Sequence, residues 1–165
     1  MSGAESKPHV LERLEAEWRA FSDLLDSIPD SEMNWPGVVD QWCLKELLGH
    51  INFWAEKCAR DVRASAGGKL DQIELPVGGQ PMVDEWNARE AAHGKAMSPA
   101  ELRAALQASF EDARCAIEES PEEALAPVLN GWSVGVRFAE DTYRHYREHA
   151  EQIRAWQRQL ETTEA

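Results

Sequence analysis

Long apolar runs are missing from this sequence of 165 residues, and no stretch reaches the length that a membrane-spanning helix needs. The first eight residues are polar and lack the apolar core of a signal peptide. Cysteine is scarce, with an odd set at Cys43, Cys58 and Cys115 and no CxxC spacing. A disulfide framework and a cysteine-based zinc site are therefore disfavoured, and each cysteine is expected to pack as a small apolar residue. These features predict a cytoplasmic protein.

Positive charge is also in short supply. Lys and Arg number 17 against 30 Asp and Glu, which gives a formal net charge of −13. An acidic surface repels the phosphates of nucleic acids and of anionic lipids, and no basic stripe offsets it. We therefore expect neither nucleic acid nor a membrane as a partner.

Strand alternation is absent as well, and apolar residues recur at three- and four-residue steps almost everywhere. One domain over residues 1–165 is the expectation from length. The predicted fold class is all-α, a four-helix bundle with an additional short helix between the second and third long helices. The first predicted long helix carries the apolar stripe from Val10 to Ile28, and the second runs from about Cys43 to Gly67. The third runs from Ser98 through Ile117, and the fourth runs from Ser133 to about Leu160. The short helix is Met82 to Lys95.

Two helix starts carry capping patterns. Glu46 lies three residues after Cys43, where a capping-box acid belongs, and Ser98-Pro99-Ala100-Glu101 is a complete start signal. Trp42 and Trp132 each stand just before a predicted helix, which is a weak internal echo. A hydrophobic staple, in which such a residue packs back onto the first turn, is preferred here over a duplication.

Three histidines form the sharpest chemical pattern. His145 and His149 are one turn apart, so both imidazoles project from the same helix face and can share one metal ion. His50 lies at the edge of the apolar stripe of the second helix and would supply a third nitrogen ligand. Three protein ligands leave open positions, which is typical of a catalytic metal. The alternatives are a solvated flank for the pair and an ordinary boundary residue for His50.

Two acidic residues are candidates to hold the rings in place. Asp141 precedes His145 by four residues and Glu46 precedes His50 by four, so each could accept the spare ring N–H. Capping is the stronger alternative for Glu46, and simple solvation is the alternative for Asp141.

The remaining signals are weaker. His9 lies at a terminus and His93 near the end of the short helix, so both are expected to be solvated. Trp54, one turn beyond His50, is the tryptophan expected near a pocket. No GxSxG, HExxH or glycine-rich phosphate loop is present, and no residue stands out as a general base.

The two histidine segments resemble the DinB/YfiT-like superfamily of small four-helix bundles. The run from Asp40 to His50 resembles that family's tryptophan, helix start and first histidine, and the run from Tyr143 to Ile153 resembles its closing histidine pair. The resemblance implies that His50, His145 and His149 are metal ligands. Family members include transferases and isomerases that depend on low-molecular-weight thiols.

Trp86-Asn87, followed by a charged helix, also resembles the ClbS/DfsB branch, whose members confer self-resistance to reactive natural products. The first hypothesis is therefore a metal-dependent enzyme that activates a low-molecular-weight thiol or water for transfer to, or hydrolysis of, an electrophilic small molecule. Zinc, nickel and iron all suit three imidazoles. The second hypothesis is a non-catalytic bundle that sequesters a small molecule or metal. A homodimer is compatible with either hypothesis.

Overall fold

The computed structural model describes residues 5–164 and consists mainly of helices. The prediction of an all-α bundle is confirmed, and α3 is the additional helix between the second and third long ones. It is longer than the sequence suggested, because its first turn starts at Gln80. In chain order the helices are α1 (Lys7–Asp26), α2 (Leu44–Ala66), α3 (Gln80–Ala96), α4 (Pro99–Glu119), α5 (Val134–Asp141) and α6 (Tyr143–Glu164), with short 3-10 turns at Asp30–Glu32, Leu70–Gln72 and Glu122–Leu125.

An aromatic cluster joins α1, α4 and α6 in the core. The ring of Trp18 stacks on Phe110 with centroids 4.8 Å apart, and Phe21 stacks on Tyr146 at 5.4 Å. All four side chains are buried. Full burial of a side chain of this kind stabilises the fold by about 1.5–3 kcal/mol. This cluster fixes α6, and therefore its histidines, against the rest of the bundle.

Two short β-hairpins precede α2 and α5. The first pairs β1 (Pro36–Val39) with β2 (Trp42–Cys43), and the second pairs β3 (Val128–Leu129) with β4 (Trp132–Ser133). The tryptophan echo in the sequence is thus a repeated hairpin that leads into a helix. Strands of two to four residues are too short for alternation to show, although Asn130-Gly131 is a hairpin turn signature.

The last predicted helix is divided in two. Thr142 has φ −126° and ψ −98°, and its hydroxyl donates to the carbonyl of Phe138 at 2.6 Å. A threonine that binds the carbonyl four residues earlier competes with the helical hydrogen bond and bends the chain. The break ends α5 at Asp141 and places His145 in the first turn of α6.

Helices α2 and α3 touch through their backbones. A Cβ atom built on Gly49 would lie 2.5 Å from the carbonyl oxygen of Glu90 and 2.7 Å from the Cα of Gly94. Only glycine permits this approach at both positions. The contact brings α3 against the part of α2 that carries His50.

None of the helices in residues 5–164 is both long enough and apolar enough to cross a membrane. The assignment of residues 1–165 to one domain stays a prediction, which a single cooperative unfolding transition would support.

Candidate metal centre

The fold brings the three predicted histidines together. His50 lies on α2, while His145 and His149 lie one turn apart on the same face of α6. One ring nitrogen from each lies within 4.8 Å of the other two, and the Nε2 atoms of His50 and His145 are 2.9 Å apart. His50 and His149 are buried, and His145 is half-buried.

Two amide oxygens fix the tautomers of the histidines. The Nδ1 of His50 lies 3.0 Å from Oδ1 of Asn87, and the Nδ1 of His149 lies 2.6 Å from Oε1 of Gln152. An amide oxygen only accepts, so each Nδ1 carries the proton and donates it. The Nε2 of each ring then keeps a free lone pair, so Nε2 is the atom that would bind a metal. The Nε2 of His149 is buried and has no hydrogen-bond partner among the described residues.

His145 completes the arrangement. Because the Nε2 of His50 carries no proton, it accepts in the 2.9 Å contact and the Nε2 of His145 donates. Its Nδ1 is buried and finds no partner in the part of the chain that the structure describes. A cation that replaced this one proton would face three imidazole nitrogens. The residues present therefore fit a divalent metal.

Burial keeps these imidazoles neutral. Desolvation, followed by the charge of His149, lowers the pKa of His50 to about 4. Desolvation also lowers the pKa of His145 well below its usual range and lowers the pKa of His149. The neutral ring is the form that binds metal, so protons do not compete for the site near pH 7.

Two tryptophans flank the His50 ring. The ring centroids of Trp42 and Trp54 lie 5.6 Å and 6.5 Å from that of His50. The indole N–H of Trp54 donates to Oδ1 of Asn87 at 2.9 Å, so one amide oxygen receives both the indole and the imidazole proton. Trp54 also borders a cavity of about 260 Å³, as expected from its place one turn beyond His50.

The acidic residues expected to hold the rings have other roles. Glu46 accepts from the backbone N–H of Cys43 at 2.9 Å and from Lys95 at 3.4 Å, which is the capping alternative. The prediction that Glu46 orients His50 is therefore wrong, because Asn87 holds that position.

Asp141 also takes neither of the two roles expected for its side chain, which were acceptance of a proton from His145 and simple solvation. Its carboxyl lines the cavity beside Lys57 and Arg137, while the Nδ1 of His145 has no partner among the described residues. Burial raises the pKa of this carboxyl to about 7, so simple solvation is wrong as well. Gln152, three residues after His149, was detectable from helical spacing, whereas Asn87 comes from another helix.

The predictions for the other two histidines and for two of the three cysteines are confirmed. His9 and His93 are exposed. Cys43 and Cys58 are buried free thiols, and burial raises the pKa of both, which disfavours the reactive thiolate. Cysteine chemistry is therefore not part of this site.

Comparison with known proteins gives a family. The sequence model of the DinB superfamily matches residues 13–159 of this chain. A comparison with curated protein sequences finds no significant match.

Solved structures share the fold at low identity. The colibactin self-resistance protein ClbS, crystallised with a double-stranded DNA, superposes with a TM-score of 0.79 at 16% identity, over 95% of this chain and 98% of ClbS. The sibling lethal factor precursor DfsB gives 0.78 at 16%, over 94% and 96% of the two chains. A mycothiol-dependent maleylpyruvate isomerase gives 0.74 at 18%, over 90% of this chain and 61% of the isomerase.

The ClbS complex corrects one expectation. Net charge led us to exclude nucleic acid, and that exclusion is wrong, because a protein of this fold has been crystallised with double-stranded DNA. Net charge sums over a whole surface, whereas binding depends on local patches and shape.

Proposed function

This chain belongs to the DinB superfamily, and from that premise we propose that it is a metal-dependent enzyme that acts on an electrophilic small molecule. His50, His145 and His149 would hold a divalent metal, and a low-molecular-weight thiol or water would take an open position. One observation carries the proposal, namely the convergence of three neutral imidazoles within 4.8 Å, with the Nε2 of His149 buried and unpartnered among the described residues.

The chain's own residues prepare the site. A divalent metal supplies Lewis acidity when bound, which favours deprotonation of a thiol or water near neutral pH. Asn87 and Gln152 hold two of the rings in the tautomer that leaves Nε2 free. Trp42 and Trp54 pack edge-on against the ring of His50 and limit its movement. Imidazole ligands suit zinc, nickel and iron alike, so availability would select the metal.

The similar structures support the class of chemistry. One is named for dependence on mycothiol and another for self-resistance to colibactin. Both are below 20% identical to this chain, so they establish the fold and leave thiol use and detoxification as proposals.

Metal content is the decisive measurement. Untagged wild-type protein, His149→Ala and His93→Ala would be analysed by mass spectrometry after loading with zinc, nickel or iron and desalting. About one equivalent is expected in the wild type and in His93→Ala, whose histidine is exposed, and almost none in His149→Ala. Absence of metal from all three proteins would overturn the metal-dependent function.

Turnover separates the enzyme from a sequestering protein. Loaded protein would be mixed with a model electrophile and excess thiol, and product would be followed over many equivalents. Continued turnover by the wild type, together with its absence in His149→Ala, supports an enzyme. A single stoichiometric burst supports the non-catalytic alternative.

Partners and location are proposals as well. Because ClbS was crystallised with DNA, duplex DNA is a candidate partner here, and binding should weaken as salt is raised. Fluorescence anisotropy with a labelled duplex tests this. A homodimer, tested by sedimentation, and a cytoplasmic location, tested by fractionation, complete the proposal.

A further inference from the structure

A cavity of about 260 Å³ is lined in part by Trp54, whose ring packs edge-on against that of His50. Ligand pockets of drug-sized molecules are usually about 300–1,000 Å³, so this cavity suits a smaller molecule. Its walls come from α2, from α3 with the loop before it, and from β4 with α5. The apolar wall is Pro76, Val83 and the two tryptophans Trp54 and Trp132, and the polar wall is Lys57, Arg137, Glu140 and Asp141.

The two tryptophans make the cavity suitable for a flat molecule. Trp132 is 49% exposed, so part of a large apolar ring in the lining is open to solvent. Trp54 is half-buried and shares the Oδ1 of Asn87 with His50. One wall of the cavity is therefore also part of the surroundings of the histidines. A molecule held against Trp54 would lie about one helical turn from His50 along α2.

The polar wall contains a donor that the fold leaves unused. Arg137 donates from Nη2 to the carbonyl of Leu129 at 2.8 Å, but its Nε is buried and has no partner among the described residues. A buried donor without an acceptor costs about 1–3 kcal/mol, and more when it is charged. Arg137 also lines the cavity, so its guanidinium is the donor group that an acceptor oxygen on a ligand would meet there.

A buried ion pair stands next to this donor. Lys57 and Asp61 form an ion pair at 2.6 Å, and both side chains are at most 10% exposed. Pairs of this kind add little stability, because desolvation offsets their attraction. Lys57 also lines the cavity, so the pair contributes polar character to the pocket rather than to the core.

The charges around the cavity are close to balance. Lys57 and Arg137 face Asp61 and Asp141, and Glu140 is engaged by an arginine of α6 at 2.5 Å. A neutral carbonyl compound or a carboxylate would meet no excess of negative charge here. A cation without an acceptor oxygen would offer the guanidinium of Arg137 no hydrogen-bond acceptor.

We propose that this cavity binds a small planar organic molecule that carries an acceptor oxygen, with the ring between Trp54 and Trp132 and the oxygen on the guanidinium of Arg137. The inference deepens the proposed function, on which it rests for the ligand's role as the substrate. Binding itself needs no metal, so the two can fail separately.

Three naphthalene probes test the binding. They are 2-naphthoate, 2-acetylnaphthalene and 2-naphthylmethylammonium, titrated by calorimetry into metal-free and metal-loaded protein. We expect at least one of the two oxygen-bearing probes to bind about tenfold tighter than the ammonium compound, in both forms of the protein. Preference for the naphthoate would identify the acceptor as a carboxylate, and preference for the ketone would identify a neutral carbonyl.

Variants locate the binding in the cavity. Trp132→Ala changes an exposed side chain, and Trp35→Ala is its matched control, because Trp35 is 39% exposed and stands at the other hairpin. Trp132→Ala should weaken the preferred probe about tenfold, and Trp35→Ala should leave it unchanged. Arg137→Met should remove the preference for oxygen-bearing probes.

Three results would overturn the inference. They are no binding of any probe, equal binding of all three, and wild-type affinity in both Trp132→Ala and Arg137→Met. Circular dichroism of each variant checks that the helices are intact. If Arg137→Met does not fold, the probe series on Trp132→Ala still decides.

Discussion

The side-chain oxygen of Asn87 on α3 lies 3.0 Å from the Nδ1 of His50 on α2. The additional helix of this bundle therefore holds a ring that the four-helix plan alone would leave free to rotate. The same oxygen accepts the indole N–H of Trp54 at 2.9 Å. One amide thus links the histidine cluster to the wall of the neighbouring cavity.

Replacing Asn87 should weaken metal binding. Loss of such an outer hydrogen bond typically costs about 10–100-fold in metal affinity, because the ring loses its orientation and tautomer. We expect that range for Asn87→Ala, measured by competition with a chelator of known affinity. Asn87→Asp keeps an acceptor and should bind more tightly than Asn87→Ala. Asn52→Ala, an amide bonded to Glu56 on the same helix as His50, is the control and should match the wild type. Equal affinity in all four proteins would contradict the role of Asn87.

Gly49→Ala should destabilise the protein and loosen the site. The added Cβ would lie 2.5 Å from the backbone oxygen of Glu90, so α3 must move away. Overpacking of this kind costs about 1–3 kcal/mol or more. Urea unfolding measures the loss. Gly67→Ala is the control, since a Cβ there meets nothing closer than 3.5 Å, and a similar loss in both variants would argue against the helix contact as the cause.

Metal should stabilise the folded state. A ligand that binds only the native protein adds about 2.7 kcal/mol when its concentration is 100 times Kd. Zinc, nickel or iron should therefore raise the Tm of the wild type and of His93→Ala, and a chelator should reverse the shift. His149→Ala should show no shift. An equal shift in His149→Ala would mean that the metal binds elsewhere.

Asp141→Asn should stabilise the protein in a pH-dependent way. Burial raises the pKa of Asp141 from 3.8 to about 7, while the positive charges of Lys57 and Arg137 oppose the rise. Between about pH 4 and pH 7 the unfolded chain releases a proton that the folded protein keeps. The free energy of unfolding of the wild type therefore falls as pH rises through this window.

The asparagine variant lacks this titration. Its free energy of unfolding should equal that of the wild type near pH 4 and exceed it by about 4 kcal/mol at pH 8, in denaturant unfolding followed at several pH values. Asp23→Asn, at an exposed position of α1, is the control for the substitution itself and should differ from the wild type at pH 8 by much less than Asp141→Asn does. A constant difference between Asp141→Asn and the wild type would show that this carboxyl is ionised in the folded state.

The sequence predicted helix positions well wherever local signals were strong. The capping pattern of Ser98 and Glu101 appears in the structure as a complete capping box. Cys43 and Glu46 also form a capping box at the start of α2, although cysteine is a poor cap. The hairpins and the break at Thr142 were missed, because two-residue strands and a single bonded hydroxyl leave almost no periodic trace.

All three histidines of the cluster were named from the sequence, whereas most of their surroundings were not. The pair on α6 follows from spacing of one turn, and His50 was joined to it by resemblance and by its place on an apolar stripe. Asn87 and the cavity were not predicted, because they depend on how α3 and the second hairpin pack against α2. Asp141 was assigned to the ring of His145 on spacing alone, but its carboxyl lies at the cavity instead.

By itself the sequence determined the all-α class, the helix order and which histidines share a helix face, because these depend on contacts between residues three or four apart. Tertiary structure alone decided which amide holds His50, where the buried charges lie and that Arg137 has an unused donor. Those features join residues that are far apart in the chain, so no local sequence pattern indicates them. They depend on how closely the helices pack, as in the glycine contact between α2 and α3.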